Sequence, residues 1–189
     1  MDVEKIKGYI LSFLVKLLNK IYVKYLKQFY GTVDLGKHVM IDYRCEISHK
    51  KNISIAENSI LYKHTTIYKH KEGYFKMGEF SHVAPYGYFL IEKQHLSIGN
   101  NVTIGPFCSI FCSSNSIPLE QGILFKESYN KGDVSIGDNV FIGAQCVILP
   151  GTVIENNVVV AANSTVKGTL LSGYIYGGNP ARKIKKVFE

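Results

Sequence analysis

The sequence predicts an all-β fold, a parallel β-helix of about six coils, with an N-terminal amphipathic α-helix and a protruding loop. The first observation is an aliphatic residue at every sixth position in the last third of the chain: Ile136, Ile142, Ile148, Ile154, Val160 and Val166. The second is a slim residue four positions after each of the first five: Val140, Cys146, Thr152, Val158 and Ser164. Helices repeat near 3.6 residues and strands near 2, so neither has this period, whereas each hexad of a β-helix forms one wall of a coil.

The N-terminal helix is predicted over residues 3–29, where apolar residues recur at spacings of three and four with lysines between them. Lys16, Lys20 and Lys24 interrupt the stretch, so neither a transmembrane span nor a signal peptide is expected. Two interpretations stay open. The helix packs on the end of the β-helix or on a neighbouring subunit, or it lies on an anionic membrane surface.

The six-residue repeat extends, with slips, back to residue 35, and three apolar positions make one coil. A break from Phe111 to Lys131 predicts the protruding loop, which we place at about 111–133. The predicted coils are Leu35, Ile41 and Ile47; Ile55, Leu61 and Ile67; Met77, Val83 and Phe89; Ile98, Ile104 and Ile110; Ile136, Ile142 and Ile148; Ile154, Val160 and Val166.

Three segments follow from this reading: the helix at 1–30, the β-helix at 31–176, and a basic C-terminal tail at 177–189 that covers the end of the prism or folds back along it. Glycines directly after an aliphatic residue indicate tight corners, at Gly99, Gly105, Gly137 and Gly143. Corner residues suited to left-handed backbone follow at Asn100, Asn101, Asp138, Asn139, Asn156 and Asn157.

Charge and composition exclude several classes of function. A net charge of +7 indicates either a polyanionic partner or a solvated basic face. The lysines do not interleave with aromatic residues, so no nucleic-acid partner is expected. Four cysteines give neither a disulfide framework nor a zinc site, and no histidine pair has metal-ligand spacing. Cys45, Cys108 and Cys146 fall four residues after an aliphatic residue, which predicts reduced core thiols in a cytosolic protein.

The hexads, the stretch ILPGTVIENNVVVAANSTVKG and the ending GNPARKIKKV resemble the left-handed β-helix acyltransferases of the hexapeptide-repeat family. Within it, the chain looks most like sugar O-acetyltransferases of bacterial surface-polysaccharide gene clusters. The resemblance covers roughly residues 31–189. It implies a homotrimer with each active site between two subunits, acetyl-CoA in the groove between prisms, and a loop that reaches toward the neighbour and lines the acceptor pocket.

The resemblance also implies the cofactor-binding residues. Small residues at the matching positions beside the groove are Gly143, Ala144, Ala161 and Ala162. Lys167 matches a lysine near the CoA phosphates, and Arg182 matches the basic residue after the GNPA turn. Ordinary corner packing and solvated charges are the alternative interpretations.

The resemblance further implies a histidine at the start of the loop, as general base on the acceptor hydroxyl. In the stretch SIFCSSNSIP, Asn115 stands there, and asparagine cannot take a proton, although a general base contributes about 10²–10⁴ in rate. Three explanations stay open. Glu92 or His95, at the corner before Ile98, serves as base; the acceptor is an amine, oriented by Asn115 and Ser114; or the chain is a weak or inactive relative.

The function expected from these observations is acetyl-CoA-dependent transfer of an acetyl group to a sugar hydroxyl of a bacterial surface polysaccharide or its precursor. No metal is expected. The enzyme would act in the cytoplasm, either free or peripheral on the inner face of the cytoplasmic membrane. The alternatives are N-acetylation of a nucleotide-linked amino sugar, and a trimeric scaffold that does not catalyse.

Overall fold

The computed structural model describes residues 3–30, 33–118 and 120–188. It begins with helix α1 (Val3–Phe29), after which short strands wind into a prism, one strand per wall. The strands of coils 1 to 3 are β1 (Val33–Leu35), β2 (Met40–Ile41) and β3 (Glu46–Ile47); β4 (Ile53–Ile55), β5 (Ile60–Leu61) and β6 (Thr66–Lys69); β7 (Tyr74–Met77), β8 (His82–Val83) and β9 (Tyr88–Glu92).

The remaining coils follow the same order. Coil 4 contains β10 (His95–Ile98), β11 (Thr103–Ile104) and β12 (Ser109–Phe111), and a hairpin, β13 (Ser113–Asn115) and β14 (Tyr129–Lys131), interrupts the chain after it. Between these two hairpin strands lies a short 3-10 helix (Phe125–Glu127). Coils 5 and 6 are β15 (Val134–Ile136), β16 (Phe141–Ile142) and β17 (Val147–Ile148); β18 (Val153–Ile154), β19 (Val159–Val160) and β20 (Thr165–Val166). A partial coil has β21 (Thr169–Leu170) and β22 (Tyr174–Gly177), and β23 (Arg182–Lys186) ends the chain.

Three parallel sheets form the walls of the prism. Sheet A has the order β1-β4-β7-β10-β15-β18-β21, sheet B begins β2-β5-β8-β11-β16-β19-β22, and sheet C is β3-β6-β9-β12-β17-β20. The apolar positions pair in register from coil to coil, as in Leu35 with Ile55 and Ile98 with Ile136. The predicted left-handed parallel β-helix is thus confirmed.

The core consists of the predicted apolar rows. Every predicted coil position is buried, at most 7% exposed, and lies in the strand that the repeat assigned to it. Each fully buried aliphatic side chain contributes about 1.5–3 kcal/mol. The slim residues after them are buried as well, among them Cys146, Thr152 and Ser164. The coil assignment from the sequence is therefore confirmed in all six coils.

The four corner glycines lie at tight corners, as predicted, and the distance to the next coil explains why. None of Gly99, Gly105, Gly137 and Gly143 has a positive φ. At Gly105, a Cβ atom would lie 2.7 Å from the backbone nitrogen of Ala144 in the next coil. These corners therefore need glycine because successive coils approach closely, not because the backbone is left-handed.

The polar corner residues divide into two kinds. The prediction of left-handed backbone is confirmed for Asn101, Asn139 and Asn157, with φ of 55°, 55° and 59°. It is wrong for the residue before each of them, at Asn100, Asp138 and Asn156. Their side-chain oxygens instead accept backbone N–H groups one coil away, from Glu79 (2.8 Å), Asn100 (2.7 Å) and Asp138 (2.7 Å). A polar ladder along this edge thus ties coils 3 to 6 together.

Helix α1 closes the open end of coil 1 with its C-terminal half. Leu26 is 1% exposed and belongs to the core, and the Tyr43 N–H donates to Asn19 Oδ1 at 2.9 Å. Its N-terminal half leaves large apolar side chains exposed, for example Phe13 at 66%. Among the described residues, no helix has the length and apolar character needed to cross a membrane.

The tail folds back along the last strand of sheet B. β23 pairs antiparallel with β22, and the Val187 N–H donates to the Gly173 carbonyl at 2.9 Å. The Lys183 ammonium lies 3.6 Å from the centre of the Tyr174 ring. The edge of β22 is therefore covered at the C-terminal end of the prism.

The glycine at position 105 gives a test of the close approach between coils. Gly105→Ala is expected to lower the free energy of unfolding by about 1–3 kcal/mol, because its Cβ would meet the backbone of the next coil. Gly8→Ala, in the middle of an exposed helix face with nothing within 4 Å, is expected to raise it by about 0.5–1 kcal/mol. Denaturant unfolding followed by circular dichroism measures both, and equal effects of the two variants would contradict the explanation.

The four cysteines are expected to be unreactive in the folded protein. All four are free and at most 6% exposed, and burial raises the pKa of the Cys45 and Cys112 thiols to about 12. The neighbouring Cys108 thiol lowers the pKa of Cys146 to about 7, so its complete burial is what keeps that thiol from reagents. A coloured thiol reagent should find no rapidly reacting group in the native chain and four in denaturant. Fast labelling of the native protein would show that a coil opens.

Candidate active site

The protruding loop is an arm that leaves and rejoins the prism at one point. The Cys112 N–H donates to the Leu90 carbonyl at 2.8 Å, and the Gly132 N–H donates to the Cys112 carbonyl at 2.9 Å. We call residues 112–132 the arm. Its strands β13 and β14 pair antiparallel, with Asn115 opposite Tyr129. The arm therefore stands at the edge between sheets C and A, between coils 4 and 5.

Asn115 is part of the internal structure of the arm. Its Nδ2 donates to the Phe125 carbonyl at 2.9 Å, across the hairpin. The Ser116 and Ser128 hydroxyls hydrogen-bond at 2.7 Å beyond it. Farther out the arm exposes apolar side chains, with Ile117 82% and Phe125 68% exposed. The amide of Asn115 thus fixes the arm, and its Oδ1 has no hydrogen-bond partner among the described residues.

His95 lies at the base of the arm, at the first residue of β10. Its backbone N–H donates to Asp133 Oδ1 at 2.8 Å, and its Nδ1 is 3.9 Å from Asp133 Oδ2. The His95 and Tyr74 rings pack in a T-shaped arrangement, with centroids 5.9 Å apart. The His95 side chain is 59% exposed, so it is open to solvent while Asp133 lies on its Nδ1 side.

Glu92 lies at the same edge, at the end of β9, with a left-handed φ of 57°. Its partner in register is Lys69, which is 1% exposed and donates from Nζ to the Gly73 carbonyl at 3.1 Å. Burial lowers the pKa of Lys69 to about 8. The corner below the arm therefore combines the two predicted candidates, Glu92 and His95, with two residues that sequence reasoning missed, Asp133 and Lys69.

The predicted cofactor residues lie at a different edge, between sheets B and C. Gly143 and Ala144 follow β16, and Ala161 and Ala162 follow β19 one coil farther on. The Gly143 N–H donates to the Val160 carbonyl, and the Ala161 N–H to the Tyr176 carbonyl, each at 2.8 Å. Gly143 is buried, whereas Ala144 is half-buried and Ala162 is exposed.

Two backbone N–H groups at this corner are left without a hydrogen-bond acceptor in the part of the chain that the structure describes. Among the described residues, neither the Ala144 N–H nor the Ala162 N–H donates a hydrogen bond. Because neighbouring coils are about 4.8 Å apart, these two donors lie one above the other. A Cβ atom at Gly143 would lie 2.5 Å from the Ala162 nitrogen, so no larger residue fits beneath the donor.

Lys167 and Arg182 lie at the C-terminal end of the prism, and both are exposed. Lys167 follows β20, and the Ala181 N–H donates to the Thr165 carbonyl at 2.8 Å, so the start of β23 lies beside β20. Neither cation forms an ion pair within the part of the chain that the structure describes. In that same part, no cluster of His, Cys, Asp and Glu side chains could hold a metal ion.

Comparisons with known proteins agree with this architecture. The family model described as bacterial transferase hexapeptide (six repeats) matches residues 133–168, which contain coils 5 and 6. A probable macrolide acetyltransferase from Lysinibacillus sphaericus is 33% identical over 124 residues, 54% of this chain and 69% of that protein. This chain belongs to the hexapeptide-repeat acyltransferase family. The family predicted from the sequence is thus confirmed.

Two further proteins that resemble this chain differ in the acceptor atom that their descriptions state, oxygen in one and nitrogen in the other. The galactoside O-acetyltransferase of Escherichia coli is 28% identical over 60% of this chain, which spans 58% of that enzyme and therefore less than two thirds of it. The crystal structure of AntD, an N-acyltransferase from Bacillus cereus in complex with dTDP and 3-hydroxybutyryl-CoA, matches with a TM-score of 0.75 and 27% identity. The match covers 86% of this chain and 87% of that one.

Proposed function

We propose that this hexapeptide-repeat acyltransferase transfers an acetyl group from acetyl-CoA to a sugar hydroxyl of a bacterial surface polysaccharide or its precursor. One observation carries the proposal: Ala144 and Ala162 present two unpartnered backbone N–H donors, stacked one coil apart, at a corner kept narrow by glycine and alanine. The names of the relatives support it, since they include a sugar O-acetyltransferase and an enzyme crystallised with an acyl-CoA.

The corner at Ala144 and Ala162 is suited to an extended chain of amides. Acetyl-CoA, when bound, supplies an activated thioester carbonyl. A backbone N–H that needs no reorganisation stabilises the negative charge that develops on such a carbonyl oxygen during attack. Toward the C-terminal end of the prism, Lys167 and Arg182 offer unpaired cations for phosphate groups. We therefore assign the thioester end of the cofactor to the two donors and its phosphate end to these two cations.

We propose a homotrimer as the active form. The arm, with His95 at its base, stands at the edge between sheets C and A, whereas Ala144 and Ala162 stand at the edge between sheets B and C. Sheet C separates the two edges by roughly 15 Å, at about 3.3 Å per extended residue. A closed ring of identical copies brings the arm of one copy to the donor corner of the next, and the exposed Ile117 and Phe125 give that arm an apolar surface to bury.

Within the proposed site, His95 is the residue we assign as general base. Its imidazole is exposed, and Asp133 lies on the Nδ1 side, which leaves Nε2 to accept a proton from an acceptor hydroxyl. The arrangement substitutes for the histidine that the resemblance implies at position 115. Asn115 then holds the arm and orients the acceptor through Oδ1.

N-acetylation of a nucleotide-linked amino sugar is the second candidate. The similarity to AntD, an N-acyltransferase crystallised with dTDP, favours it. A neutral amine attacks a thioester without prior loss of a proton, so His95 would then be less important. The base at the arm favours the hydroxyl acceptor. We place either reaction in the cytoplasm, where four free buried thiols stay reduced.

The acceptor class is tested by release of CoA thiol from acetyl-CoA with hydroxyl sugars, amino sugars and nucleotide-linked amino sugars. Turnover on hydroxyl acceptors is expected. The buried cysteines should leave the thiol background low. Turnover on amino sugars alone would replace the O-acetyl proposal by the second candidate, and CoA binding without turnover on any acceptor would favour the scaffold.

The base is tested with three variants. His95→Ala is expected to lower kcat by about 10²–10⁴ with little change in the KM for acetyl-CoA. Asp133→Asn should lower kcat less, since Asp133 acts only by positioning His95. For the same reason, His95→Ala should lower kcat by a smaller factor in the Asp133→Asn background than in the wild type. Glu92→Gln is the matched control at the same edge and should stay near wild type. A larger loss of kcat in Glu92→Gln than in His95→Ala would show that Glu92, and not His95, is the general base.

A further inference from the structure

Helix α1 has two faces, and the prism uses only one. Residues three, four and seven apart share a face. Asn19 and Leu26 are buried against the first coil, at 8% and 1% exposure. On the opposite face, Ile10, Leu14, Leu17 and Ile21 recur at spacings of four, three and four, and they are 55%, 47%, 43% and 55% exposed. We call these four residues the outward stripe. No described part of the chain covers it.

A row of lysines borders this stripe on one side. Lys16, Lys20, Lys24 and Lys27 recur at spacings of four, four and three, and they line a groove of about 820 Å³ between α1 and residues 38–40. The lining of the groove also includes apolar side chains, among them Val23 of the helix and Met40 of β2. None of the described residues that line it is acidic.

The charge of the helix is unbalanced. Val3–Phe29 holds six lysines and one glutamate, a net charge of +5. Of these lysines, Lys7 alone pairs with a carboxylate among the described residues, with Glu4 at 2.8 Å. The four lysines of the groove thus lie beside apolar surface without an anion. A binding partner that covers the apolar surface and also neutralises the lysines must itself have an apolar part and an anionic part.

We propose that α1 docks on a bilayer that contains anionic phospholipid, with the outward stripe inserted and the lipid phosphates in the groove lined by Lys16, Lys20, Lys24 and Lys27. In the bound state the methylene groups of these long side chains lie along the apolar lining of the groove, and their ammonium groups lie at the level of the phosphates. Each lysine near an anionic surface contributes about 1 kcal/mol.

A second copy of the chain fits this surface less well. It would bring another helix of charge +5 against the first, and the two sets of lysines would repel each other. Charge complementarity therefore selects the lipid surface.

The experiment is co-sedimentation of the full chain with vesicles of phosphatidylcholine alone and of phosphatidylcholine mixed with phosphatidylglycerol. The wild type should bind the anionic vesicles and release from them at high salt. The triple variant Lys16→Gln, Lys20→Gln, Lys24→Gln should bind about a hundredfold more weakly. The control Lys183→Gln, Lys185→Gln, Lys186→Gln removes the same charge at the other end of the prism and should bind like wild type.

The stripe is tested by Leu14→Gln with Ile21→Gln, which should weaken vesicle binding while the melting temperature stays unchanged, because both side chains are exposed. Leu171→Gln with Phe188→Gln, two exposed apolar residues elsewhere, is the control. Equal binding to neutral and anionic vesicles, or no binding of the wild type to either, overturns the proposal. So does a stripe variant that changes the mass of the protein in solution but not its vesicle binding, since a second copy would then cover the stripe. None of these readouts depends on enzymatic activity.

Discussion

The structure depends on the in-register stacking of one coil on the next. Each coil hydrogen-bonds only to its neighbours, through parallel ladders that pair Leu35 with Ile55 and Ile98 with Ile136. Register is fixed because a slip of one residue would turn the apolar row of a wall outward. Equivalent positions of all coils therefore fall on straight lines, and the edges of the prism become lines of equivalent backbone. Stacked N–H donors at Ala144 and Ala162 are a direct result.

Stacking of this kind leaves two open ends, and the chain closes each in its own way. At the C-terminal end, the antiparallel strand β23 covers the edge of β22. At the N-terminal end, Leu26 of α1 enters the core beneath coil 1. A helix that caps a narrow prism needs only one face for that purpose. The opposite face is free to carry a second role, and there Leu14 and Ile21 are exposed.

The coils could be predicted from the sequence because their signal is local and periodic. Each six-residue repeat by itself predicts one strand of one wall. Even an early coil such as the one with Met77, Val83 and Phe89, where the repeat is interrupted by slips, was therefore placed correctly. The reason for the corner glycines could not be read in the same way, since it lies in the distance to the next coil, as at Gly105 and Ala144. Asp133, by contrast, was missed although the repeat held the signal for it. It stands three residues before Ile136, as His95 stands three residues before Ile98, so the predicted register already placed the two side by side.

The distance between the arm and α1 along the prism bears on the size of the acceptor. The arm lies between coils 4 and 5, whereas α1 lies against coil 1, three coil rises away, or about 15 Å at 4.8 Å per coil. With α1 on a bilayer as proposed, the hydroxyl that reacts beside His95 would lie about this far from α1 along the prism. A glycan of several sugars on a lipid carrier would bridge that distance more readily than a single sugar on a lipid headgroup. The height of the arm above the helix therefore favours an acceptor hydroxyl on an extended, lipid-linked chain.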